Sequence, residues 1–155
     1  MSKALFLDRD GVININHGYV HKKDNFEFID GIFEVCREAM IQNYLLIMIT
    51  NQAGIARGYY LEEDFQTLTQ WMLEQFEAHG IEFLGYYLCP YLIGAKVPQY
   101  DHDSQNRKPN PGMLLQAQRD HNLDLSKSII IGDRASDILA GQRAGVRQRW
   151  LLGSE

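Results

Sequence analysis

The sequence predicts an α/β fold in which a parallel β-sheet carries helices on both of its faces. Short apolar runs alternate along the chain with longer segments in which apolar residues recur at helical spacing. The run Leu45–Ile49 has no alternation of polar and apolar residues, which is typical of a strand covered on both faces. Because strands and helices alternate throughout, we expect the strands to be parallel.

The composition indicates one domain over residues 1–155. A content of 45% hydrophobic and 23% charged residues is ordinary for a globular domain of this length. The net charge of −5 disfavours nucleic acid as a partner. No apolar run approaches the ~20 residues of a membrane-spanning helix, the N-terminus lacks a signal-peptide pattern, and two cysteines are too few for a disulfide framework. We therefore expect a cytoplasmic monomer that binds no membrane.

The chain begins with a short strand, a polar segment and an amphipathic helix. The apolar run Leu5–Leu7 suits a buried strand, which should stop near Asp8, and Gly11 should open a turn. The polar segment Asn16–Asn25 follows and is a candidate for substrate contacts. The helix is predicted over Gly31–Asn43, with one apolar face made of Ile32, Val35, Cys36, Ala39 and Met40.

The middle of the chain predicts two more strands around a long helix. The strand Leu45–Ile49 ends in the polar residues Thr50–Gln52, and a third strand is expected over Phe83–Leu88. The helix between them should run from Glu62 to His79, because acidic residues crowd its first turn and favour a helix N-terminus. Its apolar stripe is predicted to contain Phe65, Leu68, Met72, Phe76 and His79.

The last third begins with an irregular segment, Cys89–Arg107, whose length is unusual for a simple connection. Asn110 and Pro111 predict a helix start, as N-cap and first helical residue, and this helix should stop near Asn122. A strand, a helix and a last strand complete the chain at Ser128–Ile131, Ala135–Ala144 (with Gly145 as its C-terminal cap) and Val146–Leu152.

Polar side chains interrupt the chain where strands end or a helix begins. Ligands of open parallel sheets bind beyond the carboxyl ends of the strands, so we expect these breaks to share one rim. Together they would supply a nucleophile, a proton carrier, a hydroxyl, cations and a further carboxylate, which are the groups that phosphoryl transfer needs. Phosphate-binding G-x-x-x-x-G-K-[ST] and G-x-G-x-x-G motifs, an EF-hand, a Cys/His cluster and a serine elbow do not occur. The breaks are Asp8/Asp10, Thr50–Asn51, Arg107–Lys108 and Asp133/Asp137.

These breaks resemble, in the same order, the four motifs of the haloacid-dehalogenase-type phosphatases. The matching strings are Asp8–Ile13, Thr50–Gln52, Lys108 and Gly132–Asp137. Longer strings, Asn51–Gly58 and Arg107–Met113, resemble the D-glycero-D-manno-heptose 1,7-bisphosphate 7-phosphatases, to which the histidinol-phosphate phosphatases are related. The resemblance implies a Rossmann-like, haloacid-dehalogenase-like fold and a hydrolase of heptose biosynthesis that serves lipopolysaccharide or another surface polysaccharide.

The resemblance also implies a role for each motif residue. Asp8 would attack phosphorus and form an aspartyl phosphate, and Asp10 would protonate the leaving alcohol and then deprotonate the attacking water. Mg²⁺ would be held by Asp8, the backbone carbonyl of Asp10 and Asp133. Lys108 and Thr50 would bind the phosphoryl oxygens, with Asp137 orienting Lys108. Expected contacts to the sugar and its second phosphate are His17, Gly18, Tyr19, Asn51, Gln52, Arg57 and Arg107.

The intervals between the motifs leave no room for a separate cap domain. Asp8 and Thr50 are 42 residues apart, Thr50 and Lys108 are 58 apart, and the predicted elements fill both intervals. We therefore expect an open site whose walls are the segments Asn16–Asn25 and Cys89–Arg107.

The chain departs from the family at its structural zinc. The family commonly holds zinc with C-x-H and C-x-C motifs, where this chain has Cys89, Tyr91, Ser104 and Asn106. One cysteine of four ligands is a poor tetrahedral set, so zinc is not expected. Two other readings stay open: a phosphatase of histidinol phosphate or another small sugar phosphate, and a phosphosugar-binding protein without activity.

Overall fold

The computed structural model describes residues 1–153, which form a five-stranded parallel sheet. The strands lie side by side in the order β3-β2-β1-β4-β5. The α/β fold with a parallel sheet is therefore confirmed. In chain order the strands are β1 (Lys3–Leu7), β2 (Tyr44–Asn51), β3 (Phe83–Cys89), β4 (Ile129–Gly132) and β5 (Gln148–Leu151).

Helices connect these strands and cover both faces of the sheet. Short 3₁₀ turns occur at Lys23–Asn25, Pro98–Tyr100 and Leu125–Lys127. No helix within residues 1–153 is long and apolar enough to cross a membrane. The α-helices are α1 (Ile32–Ile41), α2 (Ala53–Ala56), α3 (Glu62–Ala78), α4 (Gly112–His121) and α5 (Ala135–Ala144).

The core consists of two apolar clusters, one on each face of the sheet. Leu5 and Leu7 of β1 point into the cluster with α1 and α3, whereas Ala4 and Phe6 point into the cluster with α4 and α5. Successive strand residues are thus buried on opposite faces. This explains why the strand sequences are apolar without alternation.

Strand β1 lies at the point where the strand order reverses. Its last residue, Leu7, pairs with Met48 of β2 on one side and with Ile131 of β4 on the other. The segments that leave these three strands therefore start at the same rim of the sheet. Ligands of open α/β sheets bind in the crevice at such a reversal point.

The structure corrects the predicted apolar face of α1. Val35 is 42% exposed, while Phe33, which was not predicted, packs against the core. Val35 borders a groove with Ile131 of β4 and Trp150 of the exposed edge strand β5. A periodic pattern identifies a helix but does not reveal where the layer beneath it ends.

Other corrections concern helix ends. Asn110 does not cap α4, because its Nδ2 donates a hydrogen bond to the carbonyl of Ser104 at 3.0 Å, and Pro111 takes the N-cap position. His79 is exposed at the end of α3, where its ring stacks on Phe33 with 4.1 Å between centroids. The four-residue helix α2 was not predicted, since so short a segment shows no period.

Candidate active site

The loop after β1 is a tight turn built on the carbonyl of Arg9, which accepts amide hydrogen bonds from Val12, Ile13 and Asn14. Gly11 has φ +97, and a Cβ there would overlap the carboxylate of Asp133. Both facts require glycine at this position. The close approach lets the first turn and the segment after β4 meet over the end of β1.

Lys108 lies at the centre of the site and is buried. Its Nζ donates hydrogen bonds to Asp8 Oδ1 at 2.9 Å, Asp137 Oδ1 at 2.5 Å and the carbonyl of Ile49 at 3.2 Å. Burial opposes the charge, but the two carboxylates raise the pKa of Lys108 above its ordinary value. Lys108 is therefore a fixed cation at the carboxyl end of the sheet.

Asp8 is held in place by Lys108 and by the backbone amide of Arg9, which donates to Asp8 Oδ1 at 2.9 Å. Burial raises the pKa of Asp8 to about 7, and the Lys108 ammonium counteracts only part of this effect. The neighbouring carboxylates of Asp137 and Asp133 raise it further. The group needs added positive charge to be fully ionised at neutral pH.

Oxygen ligands for a hard cation meet beside Asp8. Carboxylate oxygens of Asp8, Asp133 and Asp137 lie within 4.8 Å of one another. Both oxygens of Asp137 are engaged, one by Lys108 and the other by the amides of Asp133 and Arg134 at 3.2 Å each. Asp133 Oδ1, in contrast, is buried and has no hydrogen-bond partner within residues 1–153. Asp8 and Asp133 thus fit Mg²⁺, which prefers oxygen ligands.

Asp10 points away from this cluster and is surrounded by donors. Arg9, Asn14 Nδ2 and Gln52 Nε2 all donate to its carboxylate, the last two at 3.0 Å. The hydroxyl of Tyr60 donates to Gln52 Oε1 and so fixes the orientation of that amide. Sequence reasoning missed the roles of Arg9, Asn14 and Tyr60, because only the folded chain brings them together.

Asp8, Asp10, Lys108 and Asp137 form the floor of a cavity of about 430 Å³. The segment Asn16–Asn25 supplies one wall, as predicted, but Cys89–Arg107 contributes only its last residue. Six lining residues were not predicted as site residues: Asn16, Ala53, Gly54, Tyr60, Arg134 and Ser136. The predicted residues on the wall are Asp8, Asp10, Gly18, Tyr19, Asn51, Gln52, Arg57, Arg107, Lys108 and Asp137.

Three predicted site residues do not line the cavity: His17, Thr50 and Asp133. His17 lies outside the cavity wall, and its Nε2 contacts the exposed carboxylate of Glu27 at 3.1 Å. Thr50 is fully buried below the floor, where its hydroxyl accepts a hydrogen bond from Gln52 Nε2 at 2.8 Å. The polarity of the segment Asn16–Asn25 predicts substrate contacts but does not reveal the direction of the His17 side chain.

Hydrogen bonds and ring contacts order the loop that carries the zinc-ligand positions. Tyr91 packs on His102 with 4.0 Å between ring centroids, and its carbonyl faces Arg107 Nη1 at 3.5 Å. The amide of Asn106 donates to Ser104 Oγ at 3.0 Å. Burial raises the pKa of the Cys89 thiol above its ordinary value. With one cysteine among the four ligand positions, the absence of zinc stays a prediction.

Comparison with known proteins places this site among phosphatases. A HAD-hydrolase-like family model matches residues 105–152. The chain is 47% identical over 149 residues to the D-glycero-beta-D-manno-heptose-1,7-bisphosphate 7-phosphatase of Vibrio cholerae, covering 96% of this chain and 80% of that protein. It is 51% identical over 151 residues to the D-glycero-alpha-D-manno-heptose-1,7-bisphosphate 7-phosphatase of Burkholderia mallei, covering 97% and 80%.

Solved structures of phosphatases also resemble this chain. A had-like phosphatase of Mesorhizobium loti aligns with a TM-score of 0.91 at 36% identity, over 97% of this chain and 72% of that one. The D,D-heptose 1,7-bisphosphate phosphatase of B. bronchiseptica, solved with magnesium and phosphate, aligns with a TM-score of 0.84 at 27% identity, over 96% and 79%.

Proposed function

The chain belongs to the haloacid-dehalogenase-like family of D-glycero-D-manno-heptose-1,7-bisphosphate 7-phosphatases, and we propose that it hydrolyses the C7 phosphate ester of that bisphosphate. It is a phosphoric monoester hydrolase. One observation above all supports the proposal: Lys108 joins Asp8 to Asp137 on the floor of a cavity, with Asp133 beside them. A cytoplasmic monomer of one domain stays a prediction.

In the proposed first step, the carboxylate of Asp8 attacks phosphorus and the ester bond to the sugar breaks. The hydrogen bonds from Lys108 and from the amide of Arg9 to Asp8 Oδ1 fix the plane of the attacking group. Lys108 also offers its charge to the phosphoryl oxygens at the entrance to the site. Positioning and charge compensation supply most of the rate enhancement in phosphoryl transfer.

Asp10 is the proposed proton carrier. Its carboxylate lines the cavity but does not belong to the Asp8, Asp133 and Asp137 group. It gives a proton to the leaving alkoxide, and in the second step it takes a proton from the water that attacks the aspartyl phosphate. A general acid at this place is worth about 10²–10⁴ in rate for a poor leaving group.

Asp8 and Asp133 would hold Mg²⁺, with the backbone carbonyl of Asp10 as a further predicted ligand. When bound, the ion supplies positive charge that keeps Asp8 ionised and compensates charge on the phosphoryl oxygens. The unpartnered, buried Asp133 Oδ1 supports this assignment. Asp137 would act through Lys108, since both of its oxygens are already engaged.

Arginines on the cavity wall suit the phosphate that is not transferred. Within residues 1–153, none of Arg57, Arg107 and Arg134 forms an ion pair. Arg107 lines the same cavity as Lys108, and its guanidinium can hold a second phosphate with two hydrogen bonds.

Removal of Arg107 should therefore discriminate between substrates. We expect Arg107→Ala to lower kcat/KM for the bisphosphate by about 10–100-fold, the usual worth of hydrogen bonds to a charged group, and to affect a monophosphate much less. Arg143→Ala is a matched control, because Arg143 lies outside the cavity and only contacts the carbonyl of Pro109. Equal losses on both substrates would exclude the distal-phosphate role.

The proposed substrate is tested by ³¹P NMR of reactions with Mg²⁺ and either anomer of the bisphosphate. Loss of the C7 signal with retention of the C1 signal is expected. Histidinol phosphate is the competing substrate, and it should be a poor one because it has no second phosphate for the arginines. Loss of the C1 phosphate first, or faster turnover of histidinol phosphate, would overturn the proposal.

A further inference from the structure

Arg9 stands between the nucleophile and the proton carrier in the sequence, yet its side chain is buried. It is 1% exposed, and it is among the largest fully buried side chains within residues 1–153. A guanidinium is rarely buried unless its charge is paired. Its partners therefore identify what the buried charge does.

The first partner is the carboxylate of Asp10. Arg9 Nε donates to Asp10 Oδ1 at 3.2 Å, and Nη2 lies 2.9 Å from Oδ1 and 3.1 Å from Oδ2. The planar guanidinium thus contacts both oxygens and fixes the rotation of the carboxylate. Lysine, with one ammonium group, cannot reproduce this fork.

The second partner is Val20, in the segment whose residue Tyr19 lines the cavity wall. Arg9 Nη2 also donates to the carbonyl of Val20 at 2.6 Å. Ring contacts hold the residues on either side of Val20: Tyr19 meets Tyr59 edge to face at 4.7 Å, and His21 stacks on Tyr60 at 4.9 Å. Contacts therefore hold three successive residues, Tyr19, Val20 and His21. The guanidinium that binds Val20 is the same one that binds Asp10.

The contacts with Asp10 and with the carbonyl of Val20 are the main constraints on the Arg9 guanidinium. Arg9 Nη1 is buried without a hydrogen-bond partner in the part of the chain that the structure describes. Phe65 lies against the guanidinium, with 5.9 Å from Cζ to the ring centroid. An apolar ring on this side excludes water, which strengthens the contacts with Asp10 and Val20.

We propose that Arg9 is a positioning residue that sets the orientation of Asp10 relative to the Tyr19–His21 wall, and so places the proton carrier beside the leaving oxygen. This inference rests on the proposed role of Asp10. It assigns a function to the residue between the two acids, through its side chain and not only through its backbone. The wall that contacts the sugar and the carboxylate that protonates the sugar oxygen then keep a fixed separation.

The test measures kcat/KM of Arg9→Lys with substrates that differ in their leaving groups. This variant retains the positive charge but loses the paired hydrogen bonds to the Asp10 carboxylate. For an alkyl phosphate, whose alkoxide needs a proton, kcat/KM should fall at least about tenfold more than for 4-nitrophenyl phosphate, whose leaving group needs little protonation. Arg9→Gln serves the same purpose if Arg9→Lys does not fold, since it keeps one donor arm. Thermal unfolding checks the fold of each variant.

Leu68→Ala is the control for general destabilisation, because Leu68 is buried in the core behind the cavity and is not on its wall. Leu68→Ala should lower the stability of the protein. It should leave the ratio of kcat/KM for the alkyl phosphate to kcat/KM for 4-nitrophenyl phosphate unchanged. If this kcat/KM ratio in Arg9→Lys equals the ratio in Leu68→Ala, the positioning role of Arg9 is overturned.

A double variant separates this inference from the proposed function. If Arg9 acts through Asp10, Arg9→Lys/Asp10→Asn should be no slower on the alkyl phosphate than Asp10→Asn alone. Additive losses would overturn the role of Arg9 and leave that of Asp10 intact. If Asp10→Asn itself shows no dependence on the leaving group, the proposed proton carrier is wrong.

Discussion

At the scale of single residues, the site depends on one buried cation among three carboxylates. Lys108 contacts Asp8 and Asp137, and Asp133 completes the acidic group. One ammonium cannot balance three ionised carboxylates in a buried site. Burial, aided by the carboxylates of Asp137 and Asp133, therefore raises the pKa of Asp8 to about 7 in the protein without metal.

The substitution Asp8→Asn should abolish turnover and stabilise the metal-free protein. An amide cannot form an acyl phosphate, so the chemical step is lost. The raised pKa means that the native state binds the Asp8 proton more tightly than the unfolded state does. Ionisation of Asp8 thus lowers the stability of the wild type as pH rises from about 4 through about 7.

Urea unfolding in chelator measures this effect. We expect Asp8→Asn to exceed the wild type by on the order of 1–2 kcal/mol at pH 8 and by much less at pH 5. If the difference in the free energy of unfolding between Asp8→Asn and the wild type does not change with pH, the ionisation of Asp8 is not its cause.

At the scale of elements, the sequence predicted the regular parts well and the contacts between them poorly. The strands β1, β2 and β4 were located because their residues, such as Leu46 and Ile47, are apolar on both faces of the sheet. The edge strand β5 is exposed, and it was located because it follows the last predicted helix. The motif residues were located because polar groups at the carboxyl ends of parallel strands share one rim. The burial of Arg9, the exposure of Val35 and the place of His17 depend on which elements pack nearby, and no local pattern contains that information.

The turn after β1 offers a test of this packing. At Gly11, an added methyl group meets both a positive φ and the Asp133 carboxylate, whereas at Gly31, with φ +88, no atom lies within 4 Å of the added Cβ. Gly11→Ala and Gly31→Ala should each lose about 1–3 kcal/mol of stability from backbone strain. Only Gly11→Ala should also weaken Mg²⁺ binding, since it displaces Asp133.

Isothermal titration with Mg²⁺ distinguishes these variants. Equal affinity for Mg²⁺ in Gly11→Ala and the wild type would argue that Asp133 is not a ligand. Reduced affinity in both variants would indicate a general loss of structure and not a local displacement.

At the scale of the whole molecule, one catalytic ion and no structural zinc are predicted. The zinc-ligand loop is ordered by contacts such as Tyr91 with His102 and Asn106 with Ser104. Purified protein should therefore contain no stoichiometric zinc and should stay folded in chelator. Metal analysis that finds one tightly bound zinc per chain would contradict this.

Mg²⁺ should restore activity after chelation and should raise the unfolding temperature more at pH 8 than at pH 5.5. The reason is that Asp8, with a pKa of about 7, must lose its proton before it can bind the ion. Calorimetry with and without Mg²⁺ at both pH values measures the increase in unfolding temperature. A larger increase at pH 5.5 than at pH 8 would contradict this expectation.

The central claim is that Asp8 carries the phosphoryl group during turnover, and chemical trapping tests it most directly. Enzyme quenched during turnover is treated with borohydride, which reduces an acyl phosphate to the alcohol, so peptide mass spectrometry should find homoserine at position 8. Asp8→Asn should yield none. Homoserine at another carboxylate, or unmodified Asp8 in enzyme quenched under saturating substrate and Mg²⁺, would contradict covalent catalysis by Asp8.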